Sequence, residues 1–325
     1  MKLLGIDTSN YTTSCAWLDT DTMQIIQQKQ LLPVPDGQAG LRQSDAVFHH
    51  TRQLPELFGK LAAEVGSGFR PDAIGVSVTP RGEADSYMPC FLAGRGAARI
   101  LSAAYPARLH ETSHQMGHVL AALYSAGRLT WLGEGEKPFL AFHVSGGTTD
   151  CLLCTPDADQ CVRIALHSAS LDLKAGQAVD RVGLMLGLTF PCGAALEQLA
   201  VQSNTEQAMR VHLKNGCCSF SGLQNQCAGM LEKGTPHADI ARYCLNSVAA
   251  VIIAMTKDAA KKLGDIRVIY AGGVLSDRLI QDKLRALPLE TAFAEPQFSC
   301  DNAAGVAVYA ARKEGWEWES FPSAS

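Results

Sequence analysis

The chain has 325 residues, 47% of them hydrophobic and 18% charged, with a mean hydropathy near zero. That is enough for two lobes with separate cores, and it excludes a disordered chain, a coiled coil, a collagen-like fibre and a small disulfide-stapled module. A net charge of −4 excludes a protein that coats nucleic acid by bulk charge, so such contact needs a local basic patch or a partner.

In chain order, Lys2 to Asp7, a long polar turn from Thr8 to Thr12, and Thr13 to Leu18 read as a β-hairpin. Ala46 to Val65 carries apolar residues at helical spacing, Ile74 to Val78 is a short buried strand, and Phe91 to Tyr105 is a helix rich in small residues. Gly127 to Pro138 is polar and turn-rich, and marks a lobe boundary. Phe139 to Val144, the turn Ser145 to Asp150 and Cys151 to Cys154 repeat the first hairpin about 136 positions on, with Thr148-Thr149-Asp150-Cys151 matching Thr12-Thr13-Ser14-Cys15. Gly176 to Leu188 is helical, and a loop-rich region runs through Gly216. Ala238 to Leu263 is a long amphipathic helix, Val268 to Ala271 a strand ending in Gly272-Gly273, and Ser276 to Leu287 a helix. The last helix opens near Asp301-Asn302 and runs to Glu314. The mixture is α/β with a duplicated core, its lobes falling at 1–136 plus 300–325 and at 137–299.

No run of eighteen apolar residues occurs, so no membrane span is expected. The start turns polar too early for a secretory signal, and eleven cysteines without framework spacing read as reduced thiols of a cytoplasmic protein. Cys151 and Cys154 form a lone CxxC in a strand, where residues three apart point to opposite faces, so core thiols are expected there rather than a metal site.

The sharpest chemical feature is Ser113-His114-Gln115-Met116-Gly117-His118, which opens a helix. Histidines at i and i+4 share one face and can grip one ion, although two solvated or core histidines give the same spacing. Gln115 stands where a zinc peptidase needs a glutamate base, which argues against peptidase chemistry. Asp301, at a helix start, is the best acidic candidate for a third ligand. Ser145-Gly146-Gly147 and Gly272-Gly273-Val274 each follow a strand and offer unobstructed N–H groups to phosphate oxygens. Neither a P-loop nor a dinucleotide fingerprint is present. Asp180 suits a ribose hydroxyl or an amine, or else is a surface carboxylate paired with Arg181. Ser219 to Leu223 reads as an ordinary loop, and Arg95 and Arg99, which share a helix face, suit a phosphate or else are solvated. No catalytic residue stands out; Asp7 and Thr12 are the candidates.

From Leu4-Gly5-Ile6-Asp7-Thr8-Ser9 to Cys300-Asp301-Asn302 these motifs resemble the TsaD family, which forms threonylcarbamoyladenosine in tRNA. The resemblance also covers Val144-Ser145-Gly146-Gly147, Gly176-Gln177-Ala178-Val179-Asp180, Pro191-Cys192-Gly193, Ser219-Phe220-Ser221-Gly222-Leu223 and Ala271-Gly272-Gly273-Val274. It implies an actin/Hsp70/sugar-kinase-like fold with nucleotide in the cleft between lobes. It implies one divalent metal, iron or zinc, on His114, His118 and Asp301, and substrate contacts from His143, Val144, Ser145, Gly146 and Gly147 and from Asp180, Gly193 and Asp277. The implied reaction moves a threonylcarbamoyl group from threonylcarbamoyl-AMP to the adenosine 3′ of the anticodon, with help from partner proteins.

The chain departs from the family at several positions. Neutral Tyr11 and Thr12 replace two acids, Thr148 replaces a histidine, Asp277 replaces an asparagine, and Pro80-Arg81-Gly82 stands for a Gly-Pro-Gly loop. These leave two alternatives to transfer: a nucleotide-binding scaffold without catalysis, and a small-molecule kinase of the same fold, for which His114 and His118 have no use.

Overall fold

A computed structural model describes the chain except Asn10, 34–40, 84–85 and 321–325. The chain divides into two compact units. Unit 1 comprises Met1–Glu136, Pro156–Val162 and Asp301–Ser325, and unit 2 comprises Lys137–Thr155 and Arg163–Cys300.

Unit 1 holds β1 (Lys2–Ser9), β2 (Thr12–Asp19), β3 (Gln24–Leu31), α1 (Gln43–Val65), β4 (Ala73–Thr79), α2 (Phe91–Ala104), β5 (Arg108–Ser113) and α3 (His114–Ser125). Its sheet runs β3-β2-β1-β4-β5, antiparallel through the hairpins and parallel from β1 onward. Leu4, Ile6, Trp17, Leu57, Leu61, Ile74 and Val76 form the core between this sheet and α1.

The second sheet is built from β6 (Phe139–Val144), β7 (Thr149–Asp157) and β8 (Cys161–Ala169). Then come α4 (Ala175–Met185), α5 (Gly193–Ala200), α6 (Ser221–Glu232) and α7 (His237–Leu263). β9 (Arg267–Ala271), α8 (Arg278–Arg285), β10 (Thr291–Phe293) and α9 (Pro296–Ser299) follow, and the closing helix α10 (Ala304–Lys313) belongs to unit 1. The strand order β8-β7-β6-β9-β10 repeats that of the first sheet element for element. The expected duplication is therefore present in the topology, not only in the hairpin words.

Several expectations change. The first turn is short, because Thr8 and Ser9 belong to β1, Thr12 begins β2, and Ser9 pairs across the ladder with Thr12. Hydroxyl residues suit a buried strand there because each finds a partner: Thr8 Oγ1 donates to the Cys90 carbonyl at 3.1 Å, and Ser9 Oγ to Asp7 at 2.6 Å. Asn10 lies outside the described residues. The region read as loops contains α5, and the expected loop at Ser219 leads into α6. The Asp172 carboxylate, about fifty residues upstream, accepts from the Phe220 and Ser221 amides at 2.9 and 3.2 Å, and so caps α6 from a distance.

Helix α7 is long and apolar enough to cross a membrane by length and composition. Its Ile240, Cys244, Val248, Val251, Ile252 and Met255 are instead buried in the core of unit 2, against α5, α6 and β9 residues such as Leu196, Leu223 and Val268. Cys151 and Cys154 are both buried, and burial pushes both thiols up, as expected of core residues.

Candidate metal centre and glycine turns

Strand β5 runs straight into α3. Ser113 ends the strand and caps the helix, its side chain accepting from the Met116 amide at 3.2 Å. His114 is thereby the first helical residue, and His118 lies one turn on along the same face. Their Nε2 atoms are 2.8 Å apart, and Asp301 Oδ1 lies 3.5 Å from the first and 3.3 Å from the second. One ligand atom from each of the three falls within 4.8 Å of the others. Asp301 precedes α10 rather than starting it; Asn302 next to it accepts from the Ala304 amide.

Asp7 stands behind His114, fully buried, 3.1 Å from Nδ1, with Ser9 and Ser77 hydroxyls also donating to its carboxylate. Burial works against its charge, yet His114 and these donors hold it below the usual carboxylate range. A carboxylate on Nδ1 fixes the ring and turns Nε2 outward, which is the arrangement behind histidine metal ligands. Burial likewise opposes charge on His114, but Asp7 and Asp301 outweigh it and raise its pKa to about 10. His118 is lowered, first by burial and then by the His114 charge. Asp301 is held well below its ordinary value, against the burial penalty, by bonds to both histidines. Two nitrogens and an oxygen facing one point, with the first ring locked from behind, fit a divalent ion of nitrogen and oxygen preference. Thr12 Oγ1 lies 3.4 Å from Asp301 Oδ2. Of the two catalytic candidates, Thr12 therefore touches the cluster, and Asp7 acts on it through His114.

The remaining candidates gather in unit 2. The turn after β6 closes with the Ser145 amide donating to the Thr148 carbonyl at 2.8 Å, and Ser145 Oγ accepts from the Gly147 and Thr148 amides. The start of α4 presses on it: a Cβ on Gly176 would stand 2.6 Å from the Gly146 nitrogen. Gly272, at φ +105°, packs on Val144, where a Cβ would stand 2.7 Å from the Val144 nitrogen. Both glycine turns are thus held against one strand end, with His143 half-buried beside them. One turn along α4, Asp180 is half-buried, and burial raises its pKa. Its Oδ1 accepts from the Cys192 amide at 2.8 Å beside Gly193. The suggested Arg181 partner is wrong, since Arg181 donates to Gln224. Arg95 is not merely solvated either; it forms a two-pronged pair with Glu111 at 2.8 Å.

Asp277 caps α8, accepting from the Ile280 amide at 3.0 Å. It is buried, and burial pushes its carboxyl up to about 7. The full negative charge expected from its replacement of asparagine is therefore only partly present at neutral pH.

The family described as TsaD, tRNA N6-adenosine threonylcarbamoyltransferase, matches residues 25–308. The chain belongs to the TsaD family. Relatives carrying that enzyme name include one from Thermus thermophilus, 29% identical and aligned over 96% of this chain and 93% of its own. Another, from Ralstonia pickettii, is 28% identical over 96% and 91%. The family is enzymatic, and this is a divergent member. Similar solved structures include component A of the (R)-2-hydroxyglutaryl-CoA dehydratase of Acidaminococcus fermentans, with TM-score 0.55, 18% identity, and 97% and 99% of the two chains covered. A ROK family glucokinase from Streptomyces griseus matches at TM-score 0.53 and 12% identity over 96% and 100%. At these identities they show the fold alone, which is the actin/Hsp70/sugar-kinase class expected from the TsaD resemblance.

Proposed function

We propose that this chain transfers a threonylcarbamoyl group from threonylcarbamoyl-AMP to N6 of the adenosine 3′ of the tRNA anticodon. Family membership supports the reaction class, and the observation that carries the reading here is the His114, His118 and Asp301 cluster with Asp7 behind it. The acceptor amine forms a bond to the carbamoyl carbon, the bond to the phosphate oxygen breaks, and AMP leaves as the amine gives up a proton. An Fe2+ or Zn2+ ion on the three residues would supply Lewis acidity to the carbonyl.

The chain's own groups then hold and orient. Asp7 keeps the His114 Nε2 lone pair outward, and Thr12 donates to Asp301 Oδ2 while Oδ1 faces the imidazoles. The Gly146 amide and those of Gly272-Gly273 would receive the adenylate phosphate, which leaves with its charge stabilised, while the Ser145 and Gly147 amides hold the turn itself. Asp180, one oxygen committed to Cys192, offers the other to a ribose hydroxyl. His143, Gly193 and Asp277 complete the adenylate contacts.

A chain at −4 lacks the field to hold tRNA alone, so we include partner proteins that supply basic surface. We place it in the cytoplasm, a setting that suits its cysteines. The test is mass spectrometry of nucleosides from tRNA incubated with the protein, threonylcarbamoyl-AMP and candidate partners. Modified adenosine that disappears with Asp301→Ala supports the reading. Adenylate binding without modification under every partner combination favours the scaffold alternative, and ATP turnover on small alcohols favours the kinase.

A further inference from the structure

We propose that His50 and Gln53 of α1 are positioning residues for the metal centre, acting through the turn that carries Thr12. The inference rests on reading His114, His118 and Asp301 as the ligands.

Thr13 follows Thr12 and, in a strand, points to the opposite face of the sheet. It is fully buried, and its hydroxyl donates to Gln53 Oε1 at 2.7 Å and lies 2.8 Å from His50 Nδ1. The Gln53 amide cannot be reversed, because its Nε2 donates to the Leu31 carbonyl at 3.0 Å. A hydroxyl has one proton, and here Gln53 takes it. His50 must therefore donate from Nδ1, which makes it the Nδ1–H tautomer.

Leu31 is the cross-strand partner of Thr12, and the Leu32 amide donates to the Tyr11 carbonyl at 2.7 Å. Helix α1 thus grips β2, which leaves the Tyr11-Thr12 turn, through Thr13, and the neighbouring strand β3 through Leu31. On the far face of the sheet, Thr12 meets Asp301 at 3.4 Å, near the long limit of a hydrogen bond, so a small displacement of Thr13 breaks that contact. The site then loses the group that selects which Asp301 oxygen faces the histidines.

Asparagine and glutamine separate this role from general packing. At position 50, the asparagine amide nitrogen falls where Nδ1 is, whereas that of glutamine falls where Nε2 is. Long-range 1H–15N spectra of the full chain should show His50 protonated on Nδ1. Calorimetry with Zn2+ should give His50→Asn an affinity within about threefold of the parent and His50→Gln a loss of about tenfold, the scale of a lost second-layer contact. The His114 and His118 ring signals should move in His50→Gln only. Should both variants fail to fold, Gln53→Glu keeps the acceptor for Thr13, loses the donor to Leu31, and should weaken Zn2+ likewise. A His50 protonated on Nε2 overturns the proposal, as do equal affinities and unmoved ring signals in the two variants. If the parent takes no Zn2+, the metal reading fails, while the ring signals still decide whether α1 moors the cluster.

Discussion

Gly305 of α10 lies directly against Gly117 of α3. A Cβ on Gly305 would fall inside the van der Waals envelope of the Gly117 carbonyl oxygen and 2.6 Å from the Ala121 nitrogen. Gly117 immediately precedes His118, and Gly305 lies four residues after Asp301. This close approach of two backbones therefore sets the distance between His118 on α3 and Asp301, which leads into α10.

Gly305→Ala should force α10 away from α3 and carry Asp301 with it. We expect a loss of about 3 kcal/mol or more in urea unfolding, because the clash is with backbone and no side chain can yield. Zn2+ affinity should fall in parallel. Unchanged stability would mean that the helices tolerate a wider spacing than found here.

His118→Ala should abolish tight Zn2+ binding and leave the fold intact, since the Asp7–His114 pair remains in place. Combining it with His114→Ala should cost a further ~3 kcal/mol, because Asp7 is then a buried carboxylate without its imidazole. Metal analysis and thermal melting of the two variants check both statements.

Asp7→Asn keeps an acceptor for one of its two serine donors and removes the charge behind His114. Zn2+ affinity measured by chelator competition should drop about 10- to 100-fold, as for other outer partners of histidine ligands. Circular dichroism should stay the same.

Asp277→Asn should stabilise the protein at pH 8 and not at pH 4. The carboxyl pKa rises from 3.8 to about 7 on folding, so the folded chain binds this proton more tightly than the unfolded one. Its penalty is absent below pH 4, grows between pH 4 and 7, and is complete above, where it is on the order of 4 kcal/mol. Asparagine caps a helix as well as aspartate does, so the gain reports the charge alone. Melting curves across pH 4 to 8 that run parallel for the two proteins would contradict this.

Much of this was legible in residue order. The i, i+4 histidines, the strand-Gly-Gly turns and the repeated Thr-Thr words each have a local pattern, and each sits where that pattern implies. What escaped is held from a distance. Helix α6 begins where Asp172 caps it, and nothing near Ser219 announces that carboxylate. The role of Asp7 behind His114 was not legible, because the sequence shows this candidate only as the end of a strand before a polar turn. Its partner, His114, is 107 positions away. The edge strand Gln24–Leu31 was missed because it is polar on both faces; it owes its place to the ladder with β2. His50 and Gln53 looked like ordinary residues of an amphipathic helix, and only the single proton of the Thr13 hydroxyl distinguishes them.

Unit 1 is completed only by the segment from Asp301 onward, which returns to pack α10 on β1 and α3 after the whole of unit 2. As the chain leaves the ribosome, the first sheet and both histidines emerge early, while Asp301 comes nearly two hundred residues later. During that interval β1 and α3 lack the helix that will cover them, and their apolar faces stay open. The His114, His118 and Asp301 cluster is therefore assembled late: a chain arrested anywhere before Asp301 carries two imidazoles and no carboxylate to complete the set.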